Sequence, residues 1–167
     1  GPSTDAIDID VCHDVVVRGC YMNVNDDAVV LKGGKGTFAD KAPENGPCYN
    51  ILVENCTYGH VHGCMTLGSE SVHDWNVILR RCKVGSAQRV LWLKMRPDTP
   101  QHYEYVHVEE LTGHCNMFLV CKPWTQFYQK EDRPDMPLSQ CNDISFSNIR
   151  MDCSVFFDVI EDRKNVV

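Results

Sequence analysis

Apolar and polar residues alternate in two interleaved series of short segments along the chain. The first series repeats a pattern that occurs at Asp14–Cys20, Asn50–Cys56 and Asn76–Cys82, with weaker copies at Tyr105–Leu111 and Asp143–Ile149. The second series comprises Ala6–Asp10, Ala28–Lys32, Cys64–Gly68 and Val90–Lys94, with degenerate members at Met117–Cys121 and Val155–Val159. An apolar residue at every other position predicts a β-strand for each segment.

A right-handed, single-stranded parallel β-helix accounts for both series, because equivalent residues of successive coils then stack about 4.8 Å apart. The predicted inward columns are Ile7, Val29, Met65 and Leu91; Ile9, Leu31, Leu67 and Leu93; and Cys20, Cys56, Cys82, Leu111 and Ile149. The sequence therefore predicts an all-β chain of about six coils, with residues 1–167 forming one domain. A β-sandwich with regularly spaced turns is the alternative.

The first coil has no cap in the sequence, since no amphipathic segment precedes Asp5. An open solenoid end exposes apolar residues and an unpaired strand edge. We therefore expect the chain to be the C-terminal part of a longer solenoid, or its first coil to be covered by a partner or a missing segment.

The net charge and the length of the apolar runs argue against nucleic acid and membrane as partners. The chain has 16 Lys and Arg and 23 Asp and Glu, a net charge of −7, which argues against nucleic acid as the main partner. No apolar run approaches the roughly 18 residues that span a bilayer, so no membrane is expected. Ten cysteines are present. Either a Cys12–Cys48 disulfide or stacked thiols in one column fits their spacing.

Charged residues gather in the columns predicted to face outward. These columns are Asp8, Val30, Thr66 and Trp92; Asp10, Lys32, Gly68 and Lys94; and, just before each strand, Asp5, Asp27, Gly63 and Arg89. Asp26 and His62 lie beside the last column. Stacked carboxylates repel one another, so one pKa should be raised, as an acid–base pair requires. The alternative is that turn aspartates only accept hydrogen bonds from loop amides.

Four short motifs on this face resemble glycoside hydrolase family 28, the polygalacturonase-like pectin hydrolases. That family is marked by Asn-Thr-Asp, Gly-Asp-Asp, Gly-His-Gly and Arg-Ile-Lys. The chain has, in the same order, Ser3-Thr4-Asp5, Asn25-Asp26-Asp27, Val61-His62-Gly63 and Trp92-Leu93-Lys94. The resemblance covers about residues 1–96 and implies a pectin lyase-like β-helix.

The resemblance implies an inverting mechanism with three aspartates. Asp26 would be the general acid, Asp5 and Asp27 would together activate water, and His62 would tune the acid. Lys94 would bind substrate oxygens, and we expect Ser3, Trp92 and Arg89 to contact substrate as well. Trp92 replaces the family's arginine, and an indole can stack on a sugar ring.

The expected function is hydrolysis of α-galacturonosyl-type linkages in pectic polysaccharides during cell-wall degradation, with no cofactor and no metal. A metal at His60 and His62 beside Asp26 is a disfavoured alternative. A β-helix polysaccharide lyase that uses Ca²⁺ and a non-catalytic carbohydrate-binding or adhesin solenoid are the competing functions. The resemblance alone implies a secreted or periplasmic protein.

Overall fold

The computed structural model describes residues 2–128 and 131–159. In this part of the chain, short β-strands account for nearly all the regular structure. In chain order they are β1 (Ile7–Asp10), β2 (His13–Arg18), β3 (Tyr21–Met22), β4 (Val29–Lys32), β5 (Cys48–Glu54), β6 (Thr57–Leu67), β7 (His73–Arg80), β8 (Lys83–Met95), β9 (His102–Glu109), β10 (Thr112–Pro123), β11 (Gln140–Ser147) and β12 (Arg150–Val159). A 3₁₀ turn spans Ala39–Lys41.

The strands form two parallel sheets that the chain visits in turn. The first sheet has the order β1-β4-β6-β8-β10-β12, with β3 paired to β6, and the second has the order β11-β9-β7-β5-β2. Successive coils therefore run through both sheets, the second coil with both β3 and β4 in the first sheet, and each coil stacks on the one before it. The predicted parallel β-helix of about six coils is confirmed, and the β-sandwich is not formed.

Backbone register places the predicted apolar columns inside the solenoid. Ile7 pairs with Val29, Val29 with Met65, and Met65 with Leu91. The column of Ile9 follows the same register two residues later. Side chains of the inner coils in both columns are essentially inaccessible to water. Period-two alternation thus identified the core of the first sheet correctly, because one face of each strand meets the interior.

The first residue of each seven-residue repeat adopts a left-handed backbone conformation. Five residues share this conformation, with φ between 53° and 57°: Asp14, Asn50, Asn76, Tyr105 and Asp143. The Asn76 amide donates to Asn50 Oδ1 and the Asn50 amide donates to Asp14 Oδ1, both at 2.7 Å. Asn and Asp tolerate positive φ best among non-glycine residues, which explains their place in the repeat.

The column predicted to face outward from the first sheet is less open than the sequence suggests. Val30 and Thr66 are fully buried, and only 7% of Trp92 is exposed. Trp124, in the connection after β10, packs against Trp92 and contributes to this burial.

The cysteines are free thiols, and the Cys12–Cys48 disulfide is not formed. Cys48 is buried, and its thiol donates to the carbonyl of Lys32 at 3.0 Å. The stacked-thiol alternative therefore describes this column. Within residues 2–128 and 131–159, no helix has the length and apolarity needed to cross a membrane.

Candidate active site

The connection between β3 and β4 carries Asp26 and Asp27 along the middle of β6. It stays hydrogen-bonded to that strand, because His62 donates its amide to the Asp26 carbonyl at 2.9 Å and Ala28 donates to the Gly63 carbonyl at 2.8 Å. The flanking strands pair with the two ends of β6. The acidic turn therefore has a fixed backbone, and His62 lies directly beside Asp26.

The column predicted just before the strands is present. Asp5 precedes β1 and Asp27 precedes β4 by the same two residues, and the Asp27 amide donates to Asp5 Oδ1 at 3.0 Å. Gly63 and Arg89 pair across β6 and β8. The four residues therefore occupy equivalent positions on adjacent strands.

The three aspartates form one carboxylate cluster. One oxygen each of Asp5, Asp26 and Asp27 lie within 4.8 Å of one another. Asp27 is only 1% exposed, and its Oδ2 accepts a hydrogen bond from Lys94 Nζ at 2.9 Å. This ion pair balances the buried charge, because an unpaired carboxylate would be strongly disfavoured there. Asp27 Oδ1 makes no hydrogen bond within the described part of the chain.

Gly63 makes room for Asp27. A Cβ atom at this position would lie 2.7 Å from Asp27 Oδ1 and would also overlap Thr66 Oγ1. The backbone of Gly63 has no positive φ. Space, and not conformational freedom, therefore requires glycine after His62.

Burial raises the pKa of the Asp5 carboxyl above its ordinary value. Removal from water is the largest cause, and the hydrogen bond from the Asp27 amide opposes it. The negative charges of Asp27, Asp8 and Asp26 raise the pKa of Asp5 further. The raised pKa that was predicted for the stacked pair is thus found on Asp5, with burial as its largest cause and charge repulsion as a smaller one.

Asp26 and Asp5 are the half-buried carboxylates of the cluster, whereas Asp27 is buried. About 30% of the Asp26 side chain is exposed, and the neighbouring His62 side chain is 44% exposed. His62 Nδ1 lies 3.6 Å from Asp26 Oδ1, an ion-pair distance that is too long for a hydrogen bond. A ligand on this face of the sheet can therefore reach Asp26, with His62 beside it.

Two cations and a second indole surround Trp92. The Arg89 guanidinium lies 3.8 Å from the ring centroid and Lys94 Nζ lies 4.0 Å from it. Trp124 packs edge-on against Trp92 at 5.3 Å. Because so little of the indole is exposed, the expected stacking of a sugar on Trp92 does not fit this geometry. Trp92 instead serves as a platform that holds Arg89 and Lys94 by cation–π contacts.

Comparison with known proteins agrees with the motifs. The sequence profile of glycosyl hydrolases family 28 matches residues 1–94, more than half of the chain. The chain belongs to glycosyl hydrolases family 28. Among solved structures, a family 28 exopolygalacturonase from Yersinia enterocolitica is 15% identical with a TM-score of 0.40, covering 93% of this chain and 38% of its own. A search of curated protein sequences finds no match.

The departures from the family 28 motifs have structural explanations. Val61, in place of the glycine before His62, is fully buried in the interior of the solenoid, so it does not occupy space beside the three aspartates. Asn25, in place of glycine, does not adopt a positive φ, so the turn does not require glycine there. Ser3 lies exposed two residues before Asp5.

Other charged residues near the site are paired within the protein. Lys32 is paired with Glu70 at 3.3 Å, and Arg96 is buried, where it binds Asp98 through two hydrogen bonds of 2.8 Å. Trp124, which the motifs do not include, packs its ring against Trp92 and lies close to Lys94 Nζ. No periodic signal in its connection could have located it.

Proposed function

We propose that this chain carries the catalytic site of a glycoside hydrolase that cleaves α-galacturonosyl-type linkages in pectic polysaccharides by an inverting mechanism. The observation that carries the proposal is the cluster of Asp5, Asp26 and Asp27, with Lys94 on Asp27 and His62 beside Asp26. Hydrolysis of a glycosidic bond needs an acid for the leaving oxygen and a base for water.

The family resemblance and the surroundings of the carboxyl groups assign their roles. Asp26, which is half-buried beside His62, donates a proton to the departing sugar oxygen. Asp5 and the buried Asp27, which are joined by the hydrogen bond from the Asp27 amide, accept the proton of the attacking water. A hydrogen bond from water would also satisfy Asp27 Oδ1, which is costly to leave buried and unpaired.

The cations above Trp92 suit an anionic sugar. Burial lowers the pKa of the Arg89 guanidinium, which at neutral pH remains protonated, and its Nε is buried without a hydrogen bond to any described residue. Arg89 and Lys94 together would hold a uronate carboxylate, and the exposed Ser3 would contact the substrate two residues before Asp5. The guanidinium that the family places at residue 92 would thus be supplied from residue 89.

The stereochemical outcome rests on the family resemblance. Acid and base in inverting glycosidases commonly lie about 6.5–9.5 Å apart, which leaves space for water. The nearest oxygens of the three aspartates are within 4.8 Å. Water would therefore lie beside Asp5 and Asp27 and not on a straight line between the acid and the base.

The decisive experiment compares Asp26→Asn with the parent chain on polygalacturonan, rhamnogalacturonan and xylogalacturonan. We expect release of reducing ends to fall by about a thousandfold or more, with an unchanged circular dichroism spectrum, because the acid proton is lost. Asp152→Asn is the matched control, since Asp152 is exposed on β12 and forms its ion pair with the equally exposed His114. Full activity in Asp26→Asn would reject the assignment.

Product analysis separates the competing functions. An inverted anomer by NMR supports the proposal, and a retained anomer contradicts the inverting mechanism. An unsaturated product that absorbs in the ultraviolet, formed only with Ca²⁺, would indicate a lyase. Binding of polysaccharide without any bond cleavage would indicate a carbohydrate-binding solenoid.

A further inference from the structure

Two histidines face each other on the outer surface of the second sheet. His73 on β7 and His102 on β9 are register partners, and their rings stack with centroids 4.8 Å apart and planes within 4°. Glu104 lies two residues after His102 and therefore on the same face of β9. This cluster lies on a different sheet from the carboxylates of Asp5, Asp26 and Asp27.

Both imidazoles direct the same nitrogen toward one carboxylate. His73 Nε2 lies 3.0 Å from Glu104 Oε1, and His102 Nε2 lies 3.4 Å from Glu104 Oε2. Asn142 Oδ1, on the neighbouring strand β11, lies 3.0 Å from His102 Nε2. Two imidazoles and one carboxylate thus lie close together on this face of the sheet.

Two neutral imidazoles and one carboxylate are a common ligand set for zinc and similar divalent ions. One ligand atom each of His73, His102 and Glu104 lie within 4.8 Å of one another. Bonds of about 2.0–2.2 Å require these atoms to draw slightly closer. The imidazoles must also turn about their Cβ–Cγ bonds, since an ion has to lie in both ring planes. Their side chains are about one-third exposed, which leaves space for this rotation.

A cavity of about 430 Å³ adjoins the two imidazoles. His73 and His102 form part of its wall, and Val72, Pro100 and Leu138 supply apolar surface. A metal ion held by three protein ligands keeps one coordination position for water or a small ligand. Here that position would open toward the cavity.

We propose that His73, His102 and Glu104 form a binding site for a divalent transition-metal ion of the zinc class, with its open coordination position facing this cavity. Binding of the ion replaces the contact between His102 Nε2 and Asn142 Oδ1, because that nitrogen gives up its proton when it ligates a metal. The site is independent of the proposed hydrolase activity. The ion joins β7 to β9, so its binding also stabilises the two middle coils of the second sheet.

The test is titration of the folded chain with Zn²⁺ by calorimetry, with Co²⁺ as a spectroscopic probe. We expect one strong site per chain, weakened about tenfold or more in His73→Ala, His102→Ala and Glu104→Gln. The matched control is His107→Ala. His107 lies on the same strand, and its Nε2 is also 3.4 Å from a glutamate oxygen, of Glu109, but its register partners are Ile78 and Ser145.

Two further variants make the outcome unambiguous. His102→Phe keeps an aromatic ring against His73 and removes the nitrogen, so loss of binding in a chain with an unchanged melting profile cannot come from unfolding. Asp26→Asn should bind Zn²⁺ as the parent does. Unchanged affinity in His102→Phe, equal loss in His107→Ala, or the intense charge-transfer bands of thiolate–cobalt ligation would each overturn the proposal.

Discussion

At the scale of single residues, the candidate site requires glycine at position 63, where a side chain would collide with Asp27. We predict that Gly63→Ala lowers kcat/KM on polygalacturonan by about a hundredfold or more, because the new methyl group displaces Asp27 and a shift of about 1 Å is enough for that loss. The new group also crowds Thr66, so the double variant Gly63→Ala with Thr66→Ala should regain part of the lost stability but not the activity. Recovery of activity in the double variant would show that Asp27 was never displaced.

Asp5 should show opposite effects on activity and stability. Its folded-state pKa is raised, so at neutral pH the ionised carboxyl opposes folding, and this cost disappears as pH falls through the folded pKa toward the unfolded one. Asp5→Asn keeps an oxygen that accepts from the Asp27 amide. We predict that it raises Tm at pH 7 by up to about 3 °C while abolishing hydrolysis.

The pH dependence checks the sign of this effect. The gain in Tm of Asp5→Asn should shrink as pH falls below the raised pKa and vanish near pH values where Asp5 is protonated in both states. In the parent chain, activity should fall on the same acid side, since protonated Asp5 cannot accept a proton from water. A gain in Tm that grows on acidification would contradict the assignment.

At the scale of the repeated elements, Tyr105 breaks the rule that its column follows. It occupies the left-handed position with φ of 53°, where its neighbours are Asn or Asp, and 57% of it is exposed. We predict that Tyr105→Asn stabilises the chain by about 1 kcal/mol in urea denaturation, because Asn pays less for this conformation and extends the amide ladder above Asn76. Tyr105→Phe keeps the unfavourable backbone and should leave the free energy of unfolding nearly unchanged.

Elements with a strict period were predictable, and connections were not. Alternation placed Ile7, Val29 and Met65 in one column because each strand has a single buried face. The motif order placed the aspartates together for the same reason. Trp124 follows no period, and the burial of Trp92 depends on it. The pair of His73 and His102 did leave a signal, since each lies three residues before the start of a repeat, at Asn76 and Tyr105.

At the scale of the whole molecule, a solenoid allows stability and activity to be perturbed separately. Each coil contacts only its neighbours, so a defect acts on the coil that holds it and the two beside it. Leu79 is buried between Val53 and Val108 in the second sheet, whereas Ile7 is half-buried in β1, which pairs with β4 alone. The two positions therefore differ both in burial and in distance from the carboxylates.

We predict that Leu79→Ala lowers the free energy of unfolding by about 2–5 kcal/mol and leaves kcat/KM unchanged at temperatures where the chain is folded. Ile7→Ala should cost roughly 1 kcal/mol, since less apolar surface is lost, yet lower kcat/KM about tenfold or more. The reason is that β1 packs less well against the interior of the solenoid without Ile7, so Asp5 moves relative to Asp27. Urea denaturation and initial rates on polygalacturonan measure both quantities. Equal losses of activity in the two variants would mean that activity depends on the stability of the entire solenoid and not on the packing of the coil that carries Asp5.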